Sequence, residues 1–220
     1  LHYFKNCNQE SMLHTAKYMH QILSLSNDAY EEIFQEIDIS GLVEKRGIIY
    51  IWTNKNLKSR NLEIKIRDQL GIEQKLLTKK EILELEPNLN PVFDAGVIYE
   101  SAMHARDPHG ILKKIFKLYL DKGGKFIQTN IKSIEQSAFD ETIIKSENEE
   151  FKFEKSVIAS GAFSKKLTDQ LGENIPLDTE RGYHVHFKGK DHLISRPVIF
   201  LDRGFGMTPM NQGLRAVGTV

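Results

Sequence analysis

The stretch Ser156–Leu167, "SVIASGAFSKKL", most limits what this chain can build. It reads as a short buried strand that ends on Ser160-Gly161 and runs straight into a helix, the order found in parallel α/β sheets. Such a junction brings backbone N–H groups up to a phosphate or a nucleotide. Its usual companion, a strand-linked G-x-G-x-x-G, occurs nowhere in the 220 residues. The surrounding sequence follows another plan. From Lys125 it offers strands "KFIQT", "IKSIEQ", "TIIKSE" and "EFKFEKSVIAS", with turn-like "FDE" and "NEE" between the later ones, as in an antiparallel meander. A helix over about 164–171 is followed by more β sequence, "RGYHVHF", "PVIFLD", "GFGMTP" and "LRAVGTV". A piece of one kind of domain thus stands inside another.

The first half alternates helices and strands. Met12, Ala16, Met19 and Leu23 form one apolar stripe at helical spacing, and Tyr30, Ile33, Phe34 and Ile37 form the next, with a break or new cap at Ser26-Asn27-Asp28. "KRGIIYIWT" is a strand by its β-branched and aromatic content, and Leu57 to Leu70 is an amphipathic helix stopped by Gly71. "TKKE" at Thr78–Glu81 is a capping box for a short helix ending near Pro87. "AGVIYE" is a short strand. "DPHGILKKIFKLYLDKGG" is a helix with Asp107 as cap, Pro108 in the first turn and Gly123-Gly124 at its end.

Thirty basic and thirty acidic residues give a net charge of zero, which argues against a dedicated nucleic-acid binder. Cys7 is the single cysteine, so no disulfide forms within the chain, and no base stands near it in sequence to make it a nucleophile. The longest apolar run, "GIIYIW", is too short to cross a bilayer. The chain opens on Leu1 inside helical sequence and stops inside a strand pattern, so both ends read as cut and targeting is not legible from its start.

Six stretches, in order, resemble the FAD-dependent amino acid oxidoreductases of the D-amino acid oxidase superfamily, and within it the D-amino acid dehydrogenase and glycine oxidase branch. They are "KRGIIYIW", "LLTKKEILELEPNL", "GVIYESAMHARDPHGILKKI", "SVIASGAFSKKL", "IPLDTERGYHVHF" and "GFGMTPMNQGLRAVGTV". Their order and spacing over roughly Ala29 to Val220 carry the likeness; no single motif is specific. The resemblance implies an α+β fold: a mainly antiparallel substrate-domain sheet flanked by helices at 1–125 and 173–220, with one strand–helix segment of a Rossmann-like FAD domain in an internal strip at 126–172. It also implies that the family's G-x-G-x-x-G unit precedes Leu1 and that its last piece follows Val220.

The same resemblance implies FAD as cofactor, with Ala159, Ser160, Gly161 and Gly182 close to it and Ile131 and Ile134 near its adenine end. The plainer alternatives are a strand-to-helix turn and core strand residues. Arg181 is a candidate for a substrate carboxylate because its planar fork meets two oxygens at once, and Arg203 is a second. Tyr183 and His184 border the same expected cleft. Phe205 and Met207 are expected as pocket walls, with Gly204 and Gly206 leaving room. Arg46 and His104 are weaker candidates on loops. His184 and His186 point the same way along one strand, yet two ligands without a third make no metal site. No catalytic side chain is assigned.

The expected activity is oxidation of the CH–NH2 group of a D-amino acid or glycine-like amine to an imine, with hydride transfer to flavin. The alternatives are oxidation of a secondary amine such as hydroxyproline or N-methylglycine, or a non-catalytic carboxylate-binding module. The expected partners are the amino acid and an electron acceptor, whether quinone, carrier protein or oxygen, with no nucleic acid. A homodimer is one way to cover apolar surface near Val157 to Ala162. The expected location is cytoplasmic, or peripheral at the inner face of the membrane. These 220 residues alone are expected to be inactive and to lack tightly bound FAD.

Overall fold

Alternating β-branched and aromatic residues at Ile48–Trp52 place a strand in the middle of the largest sheet, and Ile49, Ile51 and Trp52 on it are buried. The computed structural model describes residues 8–54, 57–137 and 141–218. Cys7 and most of the expected "FDE" turn lie outside them. The chain divides into two compact units, Leu1–Gly123 with Gly182–Val220, and Gly124–Arg181.

The first unit begins with helices α1 (Gln9–Leu23) and α2 (Ser26–Glu36), then β1 (Val43–Glu44), β2 (Ile48–Trp52), α3 (Leu57–Gln69), β3 (Lys75–Thr78), α4 (Lys79–Leu85), β4 (Ala95–Tyr99), β5 (His104–Ala105) and α5 (Pro108–Asp121). Both halves of the Thr78–Glu81 capping box form, and the Asp107 carboxylate accepts from the Gly110 N–H at the start of α5. The helices at 9–36 break at 24–25, close to the expected point, but neither α1 nor α2 buries a residue. Leu23 is 55 % exposed. Periodicity identifies these helices correctly; the first stripe, which it would assign to a core, is largely exposed, whereas Ile33, Phe34 and Ile37 of the second are half-buried.

The unit closes with β9 (Tyr183–Phe187), β10 (Val198–Phe200), β11 (Phe205–Met210) and β12 (Gly213–Gly218). Seven strands form one sheet in the order β3-β4-β2-β10-β11-β12-β9. All its pairs are antiparallel except β2 with β10. β1 and β5 form a separate ribbon. On one face of the sheet Ile49, Ile51, Leu77, Ile98, Val198, Phe200 and Leu214 join Ile82 of α4 with Leu89 and Phe93 to make the core. On the other face α3 lies against Tyr50, Val97 and Tyr99, with the Arg67 guanidinium 5.7 Å from the centre of the Tyr99 ring.

The second unit is a meander of β6 (Ser133–Gln136), β7 (Thr142–Lys145) and β8 (Glu150–Phe153), followed by α6 (Ser164–Thr168) between two single 3₁₀ turns. Gln170 ties the helical part to the meander: its side chain accepts from the Ile134 N–H and donates to the Lys132 carbonyl. The helix half of the strand–helix segment forms. The strand half, expected as a buried strand at 156–160, belongs to no sheet, and Val157 is 90 % exposed. The strand expected at 125–129 is also absent. A strand buried on both faces needs hydrogen-bonding neighbours and covering layers, and the described residues of this unit supply neither. The mixed class with a mainly antiparallel sheet is the one observed.

Candidate functional site

Register decides which side chains meet. Residues directly opposite on paired strands share a face of the sheet. One row therefore runs across all seven strands as His184, Val217, Gly206, Ile199, Tyr50, Val97 and Leu76. The next row on the same face is His186, Arg215 and Thr208. The adjacent row on the opposite face starts Tyr183, Gly218, Phe205 and Phe200. The face that carries the histidines is covered by α3 at β2 and β4, whereas at its other end His184 is exposed and Val217 is 39 % exposed. This open end, floored by Gly206 and flanked by the imidazoles, is the candidate site.

The two imidazoles stand 5.2 Å apart at a near-perpendicular 84°. Among the described residues no group of three metal-ligating side chains exists. A Cβ on Gly206 would lie 3.4 Å from the Ile199 side chain, so the backbone there forms a shallow floor beside the histidines.

The remaining sequence-predicted residues are dispersed. Phe205 and Met207, expected as pocket walls, lie on the opposite face and pack against the core, because alternation along β11 sends Gly206 and Thr208 to the open face. Tyr183 is on the Phe205 face and is 65 % exposed at the edge of the sheet. Arg203 lies over the Phe200 ring at 4.8 Å, and Gly204 follows it in a left-handed turn. Arg46 pairs with Glu44 at 2.9 Å, and its carbonyl accepts from Arg196. Arg181 ends the second unit and Gly182 starts β9's approach in the first; both are exposed.

His104 lies on the β1–β5 ribbon instead of the seven-stranded sheet. It is 7 % exposed and borders an apolar cavity of about 460 Å³, walled by Tyr30, Phe34, Val43, Ile111 and Ile115. Among the described residues neither ring nitrogen has a partner in hydrogen-bond geometry, although the Pro209 carbonyl lies near enough to favour the protonated ring. Burial pushes the imidazole below its ordinary value; Glu44 opposes this, and the Arg106 and Arg46 guanidiniums reinforce it.

In the second unit, Ala159, Ser160 and Gly161 are exposed. Gly161 has a φ of +55°, and among the described residues nothing lies within 4 Å of where a Cβ would sit. Ile134 is buried and Ile131 half-buried beside β6. An unpaired segment with open space over a left-handed glycine lets a ligand approach the main chain closely, which fits a dinucleotide such as FAD.

Arg215 and Thr208 were not singled out by sequence reasoning. The available signal was one cation inside the otherwise apolar strand "LRAVG"; only the register puts it beside His186.

Comparison with known proteins gives a consistent result. The profile of a family described as FAD dependent oxidoreductase (DAO) matches residues 7–220. The D-amino-acid oxidase of Bradyrhizobium diazoefficiens is 28% identical over 191 residues, covering 87% of this chain and 45% of that protein. The D-amino acid dehydrogenase of Vibrio atlanticus is 23% identical over 219 residues, covering 97% and 50%. The chain spans about half the length of the curated relatives it matches. Among solved structures, glycine oxidase from Geobacillus kaustophilus superposes with a TM-score of 0.73 at 21% identity, covering 91% of this chain and 54% of that one. L-proline dehydrogenase from P. horikoshii gives 0.72 at 18% identity, covering 90% and 54%. At these identities the structural likeness speaks for the fold.

Proposed function

The chain belongs to the family of FAD-dependent oxidoreductases, and from that premise we propose that it serves the oxidation of a D-amino acid or glycine-like amine to an imine. The observation that carries the reading is the family match over residues 7–220, joined to a sheet whose open end presents two imidazoles over a glycine floor. The names of the D-amino-acid oxidase and dehydrogenase relatives support the substrate class.

When bound, FAD supplies a two-electron acceptor for the hydride from Cα. The nitrogen loses a proton to solvent as the C=N bond forms, and water then converts the imine to a keto acid and ammonium. This chain's residues bind and orient the amine. In the second unit, Ala159 to Gly161 would offer exposed main chain to the cofactor. In the first unit, Gly206 would leave space for the substrate Cα, and His184, on the open edge, would face its amine. Arg181 remains a candidate for the carboxylate, since nothing in its own unit covers it. Arg203 and Arg46 are weaker candidates because each is already engaged. The electrons leave to a quinone, a carrier protein or oxygen. A quinone acceptor would hold the protein at the inner face of the membrane, although no helix among the described residues is long and apolar enough to cross one.

The test uses the complete gene product. Flavin absorbance is followed without oxygen while D-amino acids, glycine, sarcosine and hydroxyproline isomers are added in turn. Bleaching by a D-amino acid or glycine is expected. Bleaching by secondary amines alone moves the substrate class to imino acids. A yellow protein that none of them bleaches overturns amine oxidation, and a colourless protein leaves a carboxylate-binding module.

A further inference from the structure

We propose that Arg215, with Thr208 on one side and His186 on the other, is a carboxylate-binding site on the open face of the sheet. The three residues form one row across β11, β12 and β9, since Thr208 pairs with Arg215 and Arg215 with His186. Side chains directly opposite on antiparallel strands have Cβ atoms about 4.5–5.5 Å apart, close enough to act on one small group. The row offers a guanidinium, a hydroxyl and an imidazole, and it contains no acid.

Arg215 differs from the other arginines of its unit. Arg46 is paired with Glu44, Arg60 and Arg67 with Glu63, Arg106 with Glu44 and Asp191, and Arg196 with Glu86, while Arg203 lies over Phe200. Arg215 alone has neither a carboxylate nor a ring among the described residues, and its Nε is buried without a hydrogen-bond partner. The Nδ1 of His186 beside it is buried and unpartnered too. A buried N–H without an acceptor is costly, and a guanidinium has donors only, so the group that completes this row must be an acceptor. A planar carboxylate takes two guanidinium N–H bonds in parallel, with the Thr208 hydroxyl free to supply a third.

The inference rests on the proposed amine oxidation for its choice of ligand. The His184–Val217–Gly206 row lies directly beside this one, so the amine of a bound amino acid would lie over that row while a carboxylate is held at Arg215. The shared chemistry is a carboxylate, whether the α-carboxylate or one on the side chain.

The experiment uses the complete gene product labelled with 15N-arginine. The Arg215 Nε–H signal is identified by its loss in R215K. Sodium propionate is then titrated, with propylammonium chloride at matched ionic strength as control. A saturable shift with propionate and none with propylammonium is expected, together with at least tenfold weaker propionate binding in R215M, followed on the His186 ring proton. Steady-state oxidation by R215M should show KM raised at least tenfold and kcat within threefold of the parent. Loss with D-alanine and D-glutamate alike assigns the α-carboxylate; loss with D-glutamate alone assigns the side-chain carboxylate. No saturable shift with propionate, or an unchanged KM for both substrates in an R215M protein that melts like the parent, overturns the proposal. A propionate shift in a protein whose flavin no amine bleaches would leave this site standing and remove amine oxidation.

Discussion

The Glu86 carboxylate, 1 % exposed, accepts from the N–H and hydroxyl of Ser195 and from Nε of Arg196, whose Nη1 reaches on to the Arg46 carbonyl. One buried anion thus fixes the approach to β10 and the turn before β2. Removing one partner of a buried pair leaves the other charge uncompensated, so Glu86→Ala should cost about 3–5 kcal/mol in urea melts, and Glu86→Gln less. Unchanged stability in the alanine variant would contradict this account. His104 makes a prediction about pH. Its imidazole is held below the ordinary value mainly by burial. The unfolded chain therefore binds the proton first, so stability should fall as pH drops below the unfolded value of 6.5 and the loss should stop below the folded value. In thermal melts, His104→Phe should lower this acid sensitivity relative to the parent. Equal slopes would show that His104 does not contribute. At this scale the sequence marks Arg and His as useful chemistry, but it cannot show that Arg203 is spent on a ring while Arg215 is free.

Elements follow local rules closely where the rules are local. The capping box at Thr78–Glu81 and the Asp107 cap form as their spacing dictates. Asp107→Ala should cost about 1 kcal/mol, readable as a lowered Tm, and Asp107→Asn should recover most of it. The β11–β12 hairpin depends on Gly213, at φ +125°, where a Cβ would come within 2.2 Å of the Phe187 carbonyl oxygen. Gly213→Ala should cost at least about 1–3 kcal/mol from backbone strain alone. It should also weaken protection from hydrogen exchange in β9 and β12 first; uniform protection would argue against a local cause. The segments that fail to form, 125–129 and 156–160, have β composition without partners, and composition reports propensity, not pairing.

For the molecule as a whole, apolar surface is the main unbalanced quantity. Ile22 is 69 %, Val157 90 % and Phe163 70 % exposed. These 220 residues expressed alone should bind a hydrophobic dye and purify without flavin, because no G-x-G-x-x-G is present to hold a pyrophosphate. Stoichiometric flavin in that preparation would refute the second half of this expectation.

The sequence by itself determined the helices, the caps at Thr78 and Asp107, the strands of the large sheet other than β3, the zero net charge and the ordered stretches that point to the family. Each depends on neighbours within a few residues or on composition. Only the tertiary structure decided that β2 pairs in parallel with β10, that Phe205 and Met207 turn to the core, and that Arg215 stands between Thr208 and His186. Period-two alternation tells which residues of a strand share a face. Which face is buried, and what lies opposite, is set by pairing between segments far apart in the chain.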